Sequence, residues 1–381
     1  MSLFADDAQN PQLSATSPTS RPRRRRGRFG WIALVLSLVV LGVLAVVPAP
    51  YVIEQPGPVF NVLGTVDNKD DKKVPLIEVH DAETYKTSGA LDMLTVQIVG
   101  SPQRSPGWLD VVSAWFDSSR AVVPMDVYFP PGVTSEQRDQ QNAALMVDSQ
   151  QDSVAAALRQ LGYTVPEHVA VAQVAKGSPA EGTLKEKDEI VSVNGTTVTG
   201  LDDLRNAIKA NGTDKAASID IVRDKTAQTV EVTPTTATAS DGTTSAILGI
   251  GTAINYDFPI DISIQLDNVG GPSAGMMFAL GMIDKLTPGE LTGGEHIAGT
   301  GTIDAKGTVG AIGGIRQKLY GAKAAGADWF LAPASNCNEV VGHIPSGLKV
   351  FAVGTLTDSL TALKAIADHA DTSKLPTCEA N

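Results

Sequence analysis

The stretch Gly270-Gly271-Pro272-Ser273-Ala274-Gly275 runs without a break into Met276-Met277-Phe278-Ala279-Leu280-Gly281-Met282-Ile283. Glycine and proline end a strand or loop, and the apolar residues that follow recur at helical spacing, so Ser273 sits where a helix begins. A helix start presents unpaired backbone N–H groups and positive dipole charge. Both favour the oxyanion that forms when a serine attacks a carbonyl. The same residues also read as a capped, glycine-rich turn without chemistry, because short motifs match by chance.

The formal net charge of −12 is unevenly spread, since residues 1–28 hold six arginines against Asp6 and Asp7 and the remainder is strongly acidic. Phosphate binding needs clustered Lys and Arg, so no nucleic acid partner is expected. Residues 1–28, rich in Ser, Thr and Pro and ending in polyarginine, cannot bury a core and read as a disordered basic cytoplasmic tail. Phe29 to Val47 is apolar and uncharged, and about 20 such residues are what a helix needs to cross the hydrocarbon. Residues 29–48 are therefore expected to be a transmembrane anchor in contact with membrane lipid. The arginines before it keep the N-terminus cytoplasmic. That makes a single-pass protein of the cell membrane, with everything after the anchor extracytoplasmic. A cleaved signal peptide would have a shorter run and a small-residue cleavage site, whereas Pro48 and Pro50 stand there.

Two cysteines, Cys337 and Cys378, follow this segment. An oxidising compartment permits a bridge between them, and two unrelated thiols are the alternative. Neither has an adjacent histidine that would suggest a catalytic cysteine.

Residues 49–130 are β-rich, with strands expected at Leu91 to Val99 and Ala121 to Phe129. Thr134 with Gln137 makes a capping box that opens an amphipathic helix within 131–164, burying Leu145, Met146, Val154, Ala155, Leu158 and Leu161. A compact module follows: Val169 to Val174, the turn Lys176-Gly177-Ser178-Pro179-Ala180, Asp188 to Gly195, a helix at Leu201 to Ala210, and strands at Ser218 to Arg223 and Thr229 to Thr233. Over 165–235 the sequence resembles a bacterial protease-associated PDZ domain, with its Gly-Ser-Pro-Ala turn and its Asp-x-Ile strand before Val-Asn-Gly. Lys187 stands where that family has glycine, which implies a less comfortable backbone turn. The resemblance implies a groove that binds extended peptide, the alternative being a spacer with a closed groove.

After a linker-like Thr235 to Ser245, strands at Ala246 to Ile254 and Asp261 to Leu266 lead to Gly270. Downstream lie Ala298-Gly299-Thr300-Gly301 and Gly310-Ala311-Ile312-Gly313-Gly314-Ile315-Arg316-Gln317-Lys318. Here the sequence resembles the Lon-type serine proteases: Gly-Pro-Ser-Ala-Gly at 271–275, Thr-Gly at 300–301 and Gly-Gly-x-x-x-Lys at 313–318, in the same order. Taken with the anchor and the PDZ module, the whole resembles the membrane-anchored PDZ–Lon proteases of Gram-positive bacteria.

The resemblance implies a Ser-Lys dyad, with Ser273 as nucleophile and Lys318 as general base. Thr300 would orient the amine, and the loop around Gly271 and Ala274 would supply oxyanion N–H groups. A lysine acts as a base only when neutral, so burial by Ile312, Ile315, Leu319 and Met276 would have to lower a pKa that is ordinarily about 10.4. Gly270 and Thr302 stand where the family carries acidic residues. Both losses remove negative charge near the dyad, which favours a neutral lysine. The chemical competitor is a Ser-His-Asp triad using His296.

No Gly-x-x-x-x-Gly-Lys-Ser/Thr loop and no His-Glu-x-x-His cluster occurs, so no ATP, cofactor or metal is expected. The expected architecture is α+β: a single N-terminal transmembrane helix, then a Lon-type proteolytic α/β domain over 236–371 with the PDZ domain inserted. Residues 49–130 would supply the missing strands, and 372–381 form a C-terminal tail. Protein or peptide substrates are the expected partners, and a homo-oligomer is compatible with this reading. The rival is a catalytically silent scaffold that uses both domains to bind partner proteins.

Overall fold

The computed structural model describes residues 26–68, 70–238, 242–266 and 269–379. The basic tail, up to residue 25, lies outside them. Helix α1 (Arg26–Val46) forms across the apolar run. Among the described residues, however, no helix is long and apolar enough to cross a membrane. The transmembrane anchor at 29–48 is therefore corrected, and with it the single-pass, extracytoplasmic placement.

Next in the chain come β1 (Tyr51–Asn61), β2 (Ala90–Val99), β3 (Ala121–Pro124) and the long helix α2 (Ser135–Gln160). The middle holds β4 (Glu167–Val174), β5 (Glu189–Val193), α3 (Leu201–Asn211), β6 (Ala217–Arg223), β7 (Thr226–Val232) and β8 (Ile250–Tyr256). The last third holds α4 (Gly275–Leu286), β9 (His296–Gly299), α5 (Ile315–Ala324), β10 (Trp329–Pro333), β11 (Lys349–Val353) and α6 (Leu356–Ala367).

One sheet runs β11–β10–β9–β2–β1–β3. Its β9, β10 and β11 are parallel, and β2 is parallel to β9 but antiparallel to β1. Strand β2 outruns its neighbour: Ala90 to Met93 pair with β9, whereas Leu94 to Val99 pair with β1 alone. One edge of that second half has no strand partner among the described residues. The strand expected at Ala121 to Phe129 stops at Pro124, after which Met125–Tyr128 turns helical.

Helix α4 is apolar on every side and is buried from Gly275 to Asp284, as such a helix must be. Helix α2 packs against it. The capping box is formed, Thr134 Oγ1 accepting from Gln137 N and Gln137 Oε1 from Thr134 N. The buried stripe of α2 includes Met146, Ser149, Ser153, Val154 and Leu158, while Leu145 stands exposed. At about 100° per residue, Leu145 lies a quarter-turn off the line through Met146, Ser149 and Ser153.

The second sheet, β7–β6–β5–β4–β8, is antiparallel and closes on its own core with α3, built from residues such as Val169, Ile190, Leu204 and Ile219. The linker-like stretch carries a hairpin, Thr235–Thr238 with Thr244–Ile247, and residues 239–241 lie outside those described. Strand β8 joins the second sheet by pairing with β4 along its length. Cys337 and Cys378 form a disulfide that ties the C-terminal segment back to the body, where Ala352 N also donates to Pro376 O.

Lys187 takes φ 70°, in the left-handed region that favours glycine. An L-residue there costs about 1–2 kcal/mol, partly offset by the larger unfolded-state entropy of glycine. Lys187→Gly is expected to stabilise the protein by about 0.5–1 kcal/mol, read as a higher midpoint in thermal or urea unfolding.

Candidate active site

Three segments converge on one cleft. Ser273 sits in the loop before α4, half-buried, after Gly271 turns the chain at φ 88°. Thr300 and Gly301 follow β9 directly. Gly301 N and Thr300 Oγ1 each donate to the Ser273 carbonyl at 2.9 Å, and Met276 N returns to the Gly301 carbonyl at 3.1 Å. Glycine is required at 301 because a Cβ there would meet Val309 Cγ1 at 2.8 Å.

Lys318 lies one turn into α5. That helix starts from Gly314 at φ 68°, packed so closely on β2 that a Cβ would meet Val96 Cγ2 at 2.6 Å. The Lys318 side chain reaches inward, with Nζ 2.8 Å from Ser273 Oγ and 2.9 Å from Thr300 Oγ1. The residue is 2 % exposed, and Ile312, Ile315, Leu319 and Met276 are all buried. It makes no ion pair among the described residues, so nothing offsets desolvation of the ammonium. Burial alone pulls the amine from its usual value down to about 7. At neutral pH much of it is then an uncharged amine, able to accept a proton from a hydroxyl at this distance.

The cleft of about 460 Å³ beside this pair is bounded by Met146, Val269 and the loop 270–274 on one side, and by Thr95 to Ile98 of β2 on the other. The open edge of β2 thus runs past Ser273. Of the loop N–H groups, that of Gly271 donates to Asn142 O at 3.0 Å. Among the described residues, the N–H groups of Ser273 and Ala274 have no protein acceptor.

His296 pairs instead with Asp92, Nε2 to Oδ2 at 2.5 Å, at the start of β9. No contact joins it to Ser273, so the geometry does not assemble a Ser-His-Asp triad. Among the described residues, no group of three or more His, Cys, Asp or Glu side chains could hold a metal ion.

Sequence reasoning missed the contribution of α2. Ser149 Oγ donates to Pro272 O at 3.0 Å, and Ser153 Oγ lies 2.9 Å from Gly275 O. The available signal was two serines four apart within an otherwise apolar helical stripe. Gly270 has a local explanation too, because a Cβ there would meet Asn142 Cβ of α2 at 2.9 Å.

Residues 262–364 match the Lon protease (S16) C-terminal proteolytic domain, and residues 134–233 match the PDZ domain. Among curated relatives, Lon protease 1 of Sorangium cellulosum is 37 % identical over 93 residues, covering 24 % of this chain and 11 % of that protein. Lon protease of Clostridioides difficile is 40 % identical over 79 residues, covering 21 % of this chain and 10 % of that protein. The chain therefore spans about a tenth of the length of these relatives. Among solved structures, the PDZ domain of the SdrC-like protein from Listeria monocytogenes is similar at 19 % identity and TM-score 0.20, covering 22 % of this chain and 85 % of that one. The chain carries a Lon-type proteolytic domain and a PDZ domain in a mixed α/β fold, and the Lon matches support a serine peptidase.

With the amine titrating near 7, protonation removes its lone pair below that pH and deprotonation restores it above. The rate of Ser273 acylation is expected to rise with pH, half-maximal near 7, and to level off about one to two units higher. A stopped-flow or probe-labelling profile from acid to mildly alkaline pH checks this, and a flat profile contradicts it.

Proposed function

We propose that the chain is an ATP-independent serine endopeptidase that cleaves extended or loosely folded polypeptides with a Ser273–Lys318 dyad. The observation that carries this reading is the buried Lys318 amine within 2.8 Å of Ser273 Oγ. Neutral Nζ takes the hydroxyl proton as Oγ bonds to the scissile carbonyl carbon. The tetrahedral oxyanion forms against the free N–H groups of Ser273 and Ala274. As it collapses, the C–N bond breaks, and the leaving amine takes the proton back from Nζ. Water then attacks the acyl carbon as Nζ takes one of its protons, the C–Oγ bond breaks, and Nζ returns the proton to Ser273 Oγ. Thr300 keeps the amine aimed through its hydroxyl.

The unpaired edge of β2 supports an extended substrate, because a peptide laid along Thr95 to Ile98 can complete the ladder and pass Ser273. Within these 381 residues there is no phosphate-binding loop, hence no motor sequence to unfold a substrate.

The PDZ match suggests peptide or protein binding. We place that binding where Leu204 and Ile208 of α3 face Leu248 and Ile250 across a groove of about 260 Å³, beside the free edge of β8. In this reading the protease unit comprises 49–130 and 236–371, with the PDZ module between them. Because β8 completes the second sheet, a clean excision of that module would extend to Tyr256.

A fluorophosphonate probe is expected to label the wild type and not Ser273→Ala, and Lys318→Ala should lower cleavage of fluorescein-labelled casein by at least about a thousandfold. His296→Ala should keep activity within a few-fold while losing about 1–3 kcal/mol of stability, as Asp92 loses its partner. Absence of labelling in a folded wild type would favour the silent scaffold.

A further inference from the structure

We propose that Ser149 of α2, braced by Ser153, is a positioning residue that aims one of the two oxyanion donors; the proposal rests on the reading of Ser273 as nucleophile. A trans peptide is planar, with its C=O and N–H pointing in opposite directions. Fixing one therefore fixes the other. Ser149 Oγ donates to the Pro272 carbonyl at 3.0 Å, which turns the N–H of the same peptide unit, that of Ser273, away from α2. From the opposite side Thr300 Oγ1 and Gly301 N hold the Ser273 carbonyl, and so aim the N–H of Ala274. Both N–H groups belong to residues that line the cleft, and both lack a protein acceptor among the described residues. The two donors are thus set by two independent supports, one from α2 and one from the 300–301 turn.

Ser149 is 4 % exposed and Ser153 is fully buried. In an otherwise apolar stripe these hydroxyls have no solvent role, and burying them without hydrogen bonds would be costly. Ser153 Oγ lies 2.5 Å from the Ser149 carbonyl and 2.9 Å from the Gly275 carbonyl, so its single proton is shared between α2 and the start of α4. Gly271 N donates to the Asn142 carbonyl at 3.0 Å, a third tie along the same helix. The close approach this needs is visible in two glycines. A Cβ at Gly275 would meet Ser149 Oγ at 2.8 Å, and one at Gly270 would meet Asn142 Cβ at 2.9 Å.

Removing a support acts on the transition state, where the oxyanion exists, and not on the bound substrate. Ser149→Ala is expected to lower kcat about tenfold with KM unchanged, less than the roughly 10²–10³ lost when an oxyanion donor itself is removed. Affinity for a peptidyl boronate, which forms a tetrahedral adduct on the serine, should fall by the same factor. Ser149→Cys keeps a donor at the same place, although a weaker and bulkier one, and should fall between wild type and Ser149→Ala. Rates are referred to active sites titrated with the fluorophosphonate. Unchanged kcat and boronate affinity in both variants, or losses that vanish once the active fraction is counted, would overturn the proposal. If wild type is labelled and Ser273→Ala is not, those results bear on Ser149 alone. An unlabelled wild type would remove the nucleophile reading and this proposal together.

Discussion

An ammonium group cannot be buried without a partner at neutral pH unless it gives up its proton, and Lys318 is held under that constraint. Its residue is buried beside apolar side chains, and among the described residues its amine faces two hydroxyls but no carboxylate. A carboxylate nearby would stabilise the charged form and restore an ordinary lysine. The Gly270 and Thr302 positions, where acids are expected from the family resemblance, are consistent with this demand. At Gly270 the space is also physically taken by α2. The glycine-rich turns serve the same end, because Gly301 and Gly314 allow three backbone segments to approach closely enough to exclude water around one amine.

The loop carrying Ser273 is held by parts of the chain far apart in sequence. Thr300 and Gly301 grip it from the C-terminal side, and α2 grips it from the N-terminal side. Helix α2 also reaches the second sheet: Tyr256 Oη at the end of β8 donates to Asp152 Oδ1 at 2.6 Å, and Arg159 pairs with Glu167 at the start of β4. One helix therefore contacts the loop carrying Ser273 and both the first and the last strand of the second sheet. Burial raises the Asp152 carboxyl against the opposing bond from Tyr256. In this half-buried setting the bond matters more than it would at the surface.

The residues of the site were legible where their spacing is local. Gly-Pro-Ser-Ala-Gly, Thr-Gly and Gly-Gly-x-x-x-Lys each occupy one turn, and each turn positions its own side chain. The pairing of Cys337 with Cys378 was one of two open readings. What could not be read is whatever depends on register or on distant packing. Asn142 fills the space at Gly270 from a helix 100-odd positions away in the chain, and Asp92 claims His296 across 204 positions. The partner of strand β8 could not be read for the same reason, since its composition fits either sheet and only pairing with β4 decides. The apolar run at 29–47 misled through length and composition alone, which describe a helix without fixing what surrounds it.

The pairing of β8 with β4 has a consequence for how the chain assembles. It sets Tyr256 opposite Glu167, so that the module's entry and exit stand side by side. A segment with its ends already together adds little loop-closure entropy to the rest of the chain. The first sheet, by contrast, must wait for β9 before the Ala90 to Met93 half of β2 is covered, and among the described residues the other half keeps the open edge that borders the cleft. During synthesis the second sheet can finish first, from strands that all lie between Glu167 and Tyr256. Its closure needs neither Thr300 nor Lys318, both of which lie beyond Tyr256 in the chain.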